Sequence, residues 1–224
     1  MGIVVAVAGQ NAKAPATSWS HEATDLEDSM NALIPIAGLV VVAAMTPGPN
    51  NLVVLRAAAR SGMVAAIPAI AGIVTGGLAL VGLVAAGAGA ALSAEPRLQT
   101  VMALSGCLYL AWLGLRLVVR AGPPAGPEAS AGRPLPAGAV ALFGFQFLNP
   151  KAWMMVLTAT AAPGVTFWQL AALFAIIPPV CLALWSAGGA ALSGHLGRPR
   201  VATWFDRAMG ILLLACAAAL GAEA

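Results

Sequence analysis

Apolar residues in this chain occur in long, nearly continuous runs separated by short polar segments. A helix needs about 20 consecutive apolar residues to cross a hydrocarbon core about 30 Å thick. The runs therefore predict six membrane-spanning helices, with approximate bounds 33–55, 66–92, 98–119, 139–162, 168–192 and 204–222. The second run is long and glycine-rich, so a five-span arrangement in which it forms a re-entrant pair stays open.

The polar segments divide the chain into four parts. Residues 1–29 combine a short apolar start with a polar, acidic stretch, and we expect a poorly ordered tail. Met30 is a candidate start of the natural chain. The Gly/Pro-rich linker 121–138 then separates a first set of three spans, residues 30–120, from a second set, residues 139–224.

Basic residues in the short loops predict the orientation. Cytoplasmic loops of membrane proteins carry an excess of Lys and Arg. If the first span starts on the outer side, only Lys13 and Arg97 lie outside. The residues then in the cytoplasm are Arg56, Arg60, Arg116, Arg120, Arg133, Arg198, Arg200 and Arg207. This bias predicts outer termini and a cytoplasmic central linker.

Composition agrees with an integral membrane protein and argues against several other classes. The chain is 60% hydrophobic and 8% charged, whereas about a quarter of the residues of a soluble domain are charged. The sequence shows no basic stripe with interleaved aromatic residues, the pattern that would indicate nucleic-acid binding. The three cysteines have unrelated spacings, so no metal site or cofactor is expected. With no histidine, carboxylate or serine–base pair recognised within the spans, an enzyme is not expected either.

The first span carries a cluster of helix-breaking and polar residues. A proline within a helix removes one hydrogen bond, at a cost of about 3 kcal/mol, and here the carbonyls of Ala43 and Met45 are expected to lose their donors. Such backbone is tolerated at membrane depth only where it faces protein or a wet cavity. A simple proline kink, with amides bonded to neighbouring helices, is the alternative. The cluster consists of Pro47, Gly48, Pro49, Asn50 and Asn51.

A second cluster interrupts the fourth span. Pro150 is expected to free the carbonyl of Gln146, and Asn149 supplies another amide. Lys151 is the only charge that we expect deep within any of the six spans. A charge at the bilayer centre costs about 2.5–3.5 kcal/mol on insertion scales, so such a residue usually lines a pathway. Snorkelling to the interface is the alternative.

Both breaks are expected near the middle of the membrane. At about 1.5 Å per residue, Pro49 lies about 10 Å from Arg56, and Asn149 about 15 Å from Ala139. The two spans run in opposite directions, and each opens a set of three. This pattern predicts an all-α fold of two inverted three-helix repeats around a central substrate site. The segment from Gly72 to Gly76 predicts a close contact between helices. The glycine-rich second span is also compatible with a homodimer.

Four segments resemble, in order, parts of the lysine exporter family of amino-acid translocators, which includes the homoserine and threonine efflux proteins. The segments are TPGPNN (46–51), GCLYLAWLGLRL (106–117), FLNPKAW (147–153) and, more loosely, RAMGILLL (207–214). The resemblance covers residues 30–222. It implies export of small amino acids across the bacterial inner membrane, driven by the proton gradient. The pathway residues expected are Pro47, Gly48, Pro49, Asn50, Asn51, Gln146, Asn149, Pro150 and Lys151.

Their chemistry favours a neutral substrate. The Lys151 ammonium can bind a carboxylate, while amides and freed carbonyls can bind the substrate's ammonium. Because no carboxylate was recognised within the spans, a neutral, threonine-like or homoserine-like compound is favoured, and no group for proton coupling is evident. A cation or heavy-metal exporter is the alternative, although no metal-binding side chains flank the breaks. A thiol-linked electron conduit would need cysteines there.

Overall fold

The computed structural model describes residues 32–121 and 138–222, and every regular element within these ranges is helical. The predicted tail, the candidate start at Met30 and the central linker apart from its two end residues lie outside the described residues. The division into these parts therefore stays a prediction.

The described ranges form helices whose first residue is often proline. Pro49, Pro96, Pro150 and Pro199 each begin a helix, because the missing N–H of proline would have no partner in the first turn. The helices are α1 (Ala32–Met45), α2 (Pro49–Ser61), α3 (Met63–Leu83), α4 (Gly89–Ala94), α5 (Pro96–Val119), α6 (Ala139–Gln146), α7 (Pro150–Thr160), α8 (Phe167–Leu192) and α9 (Pro199–Ala222).

Within the described ranges, four helical runs are long and apolar enough to cross a membrane by themselves. They are Met63–Leu92, Pro96–Val119, Phe167–Gly197 and Pro199–Ala222. Two further pairs qualify when taken together: α1 with α2, bent by 56°, and α6 with α7, bent by 55°. The count is therefore four to six spans, and the predicted interruptions of the first and fourth spans are confirmed as sharp bends.

The second predicted span forms one helical run with a defect near its end. A π-helical turn, Val84–Ala88, joins α3 to α4, and Gly87 within it has a φ of 98°. This left-handed conformation is one that glycine adopts without a Cβ clash. The run is long enough for a single crossing that is kinked at Gly87.

Two helix ends differ from the predicted bounds. α2 continues beyond the expected end at residue 55 as far as Ser61, where Gly62 with a φ of 83° ends it. α9 begins at Pro199 instead of residue 204. Local capping residues set these ends, whereas the prediction followed hydropathy. Arg56 consequently lies inside a helix and not in a loop.

Glycines allow the helices to pack closely. A Cβ added at Gly72 would overlap the backbone of Ala139, and one at Gly76 would lie 2.7 Å from the carbonyl oxygen of Phe143. This confirms the predicted contact and shows that α3 uses this face against α6 of the same chain. A homodimer stays a prediction without support from these two glycines.

Two apolar clusters lie on either side of the helix breaks. In the larger one, Val54 and Ala58 of α2 pack with residues of α3, α5, α6 and α9. In the other, Val40 of α1 packs with α3, α7 and α8 around Val156. The polar residues of the breaks lie between these clusters, where α1 gives way to α2 and α6 to α7.

Candidate functional site

The two helix breaks are in direct contact. Asn50 Nδ2 donates to Gln146 Oε1 at 2.9 Å, and Gln146 Nε2 donates to Asn50 Oδ1 at 3.2 Å. Lys151 Nζ donates to the carbonyl oxygen of Thr46 at 2.7 Å. Residues far apart in the sequence thus form one polar group where the first and second halves of the chain meet.

The first break leaves backbone carbonyls that side chains then satisfy. Asn51 Nδ2 donates to the carbonyl oxygens of both Ala44 and Thr46, each at 2.9 Å. The expected acceptors were the carbonyls of Ala43 and Met45. The difference arises because α1 ends at Met45: the Val42 carbonyl still accepts from the N–H of Thr46 at 2.9 Å, and the carbonyls after it have no helical donors. Thr46 becomes the shared acceptor for Asn51 and Lys151.

The second break is closed by local hydrogen bonds. The carbonyl of Gln146, which Pro150 was expected to free, accepts from the backbone N–H of Asn149 at 3.3 Å. The buried Asn149 side chain accepts from the N–H of Lys151 at 3.2 Å and so caps α7. Gln146 Nε2 also donates to the carbonyl of Leu142 at 2.9 Å.

A cavity of about 60 Å³ lies beside this polar group. Seven of the nine predicted pathway residues line it. They are Gly48, Pro49, Asn50, Asn51, Gln146, Asn149 and Lys151.

The two remaining prolines do not line this cavity. Pro47 is exposed, and Pro150 lines a second cavity of about 260 Å³ near Trp153 and Gln99, on the side of α5. Both prolines shape the breaks: Pro47 lies between α1 and α2, and Pro150 is the first residue of α7. Neither proline lines the cavity beside Lys151, and their part in the pathway stays a prediction.

Much of the remaining cavity wall is apolar, and the sequence analysis did not identify it. The main apolar side chains are those of Ile73, Val74, Met155, Val156, Phe174, Pro178 and Leu182. The one local signal was the Pro178–Pro179 pair, which lies within the continuous helix α8. The cavity wall therefore combines an ammonium and amides with hydrocarbon, which suits a small amphipathic ligand.

A second buried polar cluster joins α2 to α9. Arg56 Nε lies 2.9 Å from Asp206 Oδ1, and Arg60 Nη2 lies 3.6 Å from Asp206 Oδ2. The Asp206 side chain is 1% exposed and that of Arg56 is 5% exposed. Arg56 and Asp206 are therefore more buried than Lys151, and the expectation that the spans hold no buried carboxylate was wrong. Arg56 was placed in a loop because α2 extends beyond its apolar run, whereas Asp206 was overlooked near the start of the predicted span 204–222.

The three cysteines lie outside the lining of this cavity. Cys107, Cys181 and Cys216 are free thiols, and none of them lines the cavity beside Lys151. Within residues 32–121 and 138–222, no three His, Cys, Asp or Glu side chains come together as a possible metal site.

Comparison with known proteins gives the family of this chain. It is 32% identical to the cysteine/O-acetylserine efflux proteins of Salmonella typhimurium and Salmonella choleraesuis, over 77% of this chain and 87% of theirs. It is 29% identical to an uncharacterized membrane protein of Pseudomonas aeruginosa, over 75% of this chain and 80% of that one. No solved structure matched. The profile of the LysE type translocators matches residues 41–224, and the chain therefore belongs to that family.

Proposed function

We propose that this protein exports a small neutral amino acid or amino-acid derivative from the bacterial cytoplasm through the site between the two helix breaks. The observation that carries the proposal is the position of Lys151, whose Nζ binds the Thr46 carbonyl across the breaks and lines the cavity. An ammonium has three N–H donors. After the bond to Thr46, two are available for a substrate carboxylate.

The neighbouring acceptors complete an amino-acid site. Asn50 Oδ1 and Gln146 Oε1 each accept one hydrogen bond from the other amide and keep a second lone pair, and both residues line the cavity with Lys151, so they can accept from the substrate's ammonium. Neither Asp nor Glu lines the cavity, and Asp206 is bound by Arg56 and Arg60. A cationic side chain would find no counter-ion in the cavity, which favours a neutral one.

The relatives refine the substrate class. The Salmonella proteins are named for the efflux of cysteine and O-acetylserine, both short amino acids with side chains that are largely uncharged at neutral pH. Such side chains fit against the apolar wall formed by Met155, Val156 and Phe174. Cysteine-like and O-acetylserine-like compounds are therefore preferred over the threonine-like and homoserine-like ones that the sequence suggested.

Alternating access between two inverted repeats is the transport mechanism that we propose. The bends of 56° and 55° are nearly equal. Proline begins both second half-helices, at Pro49 and Pro150, and both final helices, at Pro96 and Pro199. This correspondence supports six spans with two matched halves, one of which can rock against the other around a fixed site. The family likeness implies that the proton gradient drives the cycle.

The arginine-rich end of the helices is the cytoplasmic end in this proposal. Arg60 near the end of α2, Arg116 near the end of α5 and Arg200 near the start of α9 all belong to it. An excess of basic residues marks the cytoplasmic side of membrane proteins. The termini and the loop after α7 then face outward.

Uptake into inverted membrane vesicles tests the proposal, because export from the cytoplasm becomes uptake into the vesicle. The panel consists of radiolabelled cysteine, O-acetylserine, threonine, homoserine and lysine, and vesicles without the protein are the control. We expect accumulation of one or more neutral compounds, its loss on adding a protonophore, and no accumulation of lysine. Accumulation of lysine alone, or of no amino acid in the panel, would contradict the proposal.

A further inference from the structure

Helix α2 is a short segment between two joints. It has 13 residues, with Gly48 before it and Gly62 after it. Gly62 alone separates α2 from α3, and its φ of 83° lies in the left-handed region that favours glycine. A helix held in this way can turn as one piece while its neighbours keep their positions.

The body of α2 fills the space between the site and the arginine-rich end. Only its first three residues, Pro49 to Asn51, line the cavity. Beyond them Leu52, Val54 and Ala58 are buried, and Gly189 of α8 contacts the backbone of Leu55. The cavity therefore does not continue along α2 toward that end, and this route is closed by packed apolar side chains.

The far end of α2 is held to α9 by charge. Arg56 and Arg60 lie one helical turn apart and both approach Asp206. Two acidic residues occur in the described ranges, Asp206 and Glu95, and Glu95 lies at the other end of the molecule, before α5. Removing one member of a buried ion pair leaves the other charge without compensation, so such a contact strongly favours one arrangement of its two helices.

We propose that α2 is the cytoplasmic gate of the pathway and that Asp206 is the latch that holds it shut through Arg56 and Arg60. This inference rests on the proposed transport function. Opening turns α2 about Gly48 and Gly62 and separates the arginines from Asp206.

The same helix carries Asn50 and Asn51 at its other end. Asn50 bonds to Gln146, and Asn51 bonds to the carbonyls of Ala44 and Thr46. Movement of α2 therefore changes the substrate site and the gate together. Asp206 acts as a positioning residue, because it touches α2 and does not line the cavity.

Labelling of a buried thiol measures the gate without any substrate. Cys107, Cys181 and Cys216 are replaced by alanine in the full chain, and Ala58→Cys then introduces a single thiol in the last turn of α2, between Arg56 and Arg60, where Ala58 is 0% exposed. A membrane-impermeant maleimide is added to inverted vesicles. We expect slow labelling in this parent protein and a several-fold faster rate with Asp206→Asn.

Matched variants separate the latch from a general effect of losing charge. Glu95→Gln makes the same acid-to-amide change at the opposite end and should leave the labelling rate at that of the parent. Arg56→Lys keeps the charge and should protect the introduced thiol better than Arg56→Gln does. Arg60→Gln removes the longer, 3.6 Å contact to Asp206 and should give a smaller increase than Asp206→Asn.

Equal labelling of Asp206→Asn, Arg60→Gln and Glu95→Gln would overturn the gate. If Asp206→Asn does not fold, as judged by its elution in detergent, the labelling rates of Arg60→Gln and Glu95→Gln are compared instead. Equal rates in these two variants would overturn the gate. The assay contains no amino acid. A labelling result that contradicts the gate therefore does not affect the uptake experiment. Likewise, a negative uptake experiment does not change the measured labelling rates.

Discussion

Asn50 and Gln146 bind each other through two side-chain hydrogen bonds, of 2.9 Å and 3.2 Å, although 96 residues separate them in the sequence. Asn50 is the second residue of α2, and Gln146 is the last residue of α6. Each amide satisfies a donor and an acceptor of the other, so both can lie inside the apolar bundle. This contact joins the two halves of the chain at the cavity.

The exchange of hydrogen bonds predicts energetic coupling between the two amides. Asn50→Ala and Gln146→Ala should each slow efflux, and the double variant should be less impaired than the product of the two effects. The coupling expected for such a contact is about 0.5–1.5 kcal/mol. Initial efflux rates of the four proteins in a double-mutant cycle measure it.

A third amide serves as the control for that cycle. Gln99 Nε2 donates to the carbonyl of Leu92 at 2.8 Å, and Gln99 does not line the cavity beside Lys151. Gln99→Ala should combine multiplicatively with Asn50→Ala. Independent effects of Asn50→Ala and Gln146→Ala would show that the contact between the breaks does not matter for transport.

Gly48 predicts a specific effect on Lys151. Its φ of −169° is extended backbone that any residue adopts, so alanine fits the chain conformation. A Cβ there would, however, lie 3.2 Å from Lys151 Nζ and displace the ammonium. Gly48→Ala should raise the KM for efflux several-fold with unchanged thermal stability, as measured by transport kinetics and by melting in detergent.

Gly82→Ala provides the comparison, because a Cβ at Gly82 meets nothing within 4 Å. This variant should keep the parental KM. A parental KM in Gly48→Ala as well would mean that substrate binding does not depend on the position of the Lys151 ammonium.

Gly188 and Gly189 predict opposite results at adjacent positions of α8. A Cβ at Gly189 would overlap the backbone of Leu55 in α2, whereas one at Gly188 meets nothing within 4 Å. Gly189→Ala should destabilise the fold by about 1–3 kcal/mol, as overpacking does, and Gly188→Ala should be tolerated. Thermal unfolding in detergent distinguishes them, and equal melting temperatures would refute the close α2–α8 contact.

The helix breaks were predictable because the responsible effect is local. Pro47 and Pro49 with Gly48 between them remove helical donors whatever the surroundings, and the same holds for Pro150. Proline alone does not determine the outcome, however, since α8 continues through Pro178 and Pro179. The contact between the breaks followed from the similar depths of the two clusters in oppositely directed spans.

The buried ion pairs were not predictable because they depend on distant residues. Arg56 and Asp206 are 150 residues apart in the sequence, and each lies close to a polar loop. At such positions the hydropathy pattern predicts that charged side chains are exposed to water. Recognising the pair requires the extent of both helices and the contact of α2 with α9. The apolar cavity wall was missed for a similar reason, because Met155 and Phe174 resemble any other apolar residue of a span.

The role of Lys151 is tested most directly by efflux of the preferred amino acid from cells that produce Lys151→Ala. Arg116→Ala is the matched control, because Arg116 is a cation stacked 4.8 Å above Trp112 and does not line the cavity. We predict that Lys151→Ala reaches the membrane in parental amounts but exports no faster than cells without the protein, while Arg116→Ala exports normally. Parental efflux by Lys151→Ala would contradict a substrate site built around this ammonium.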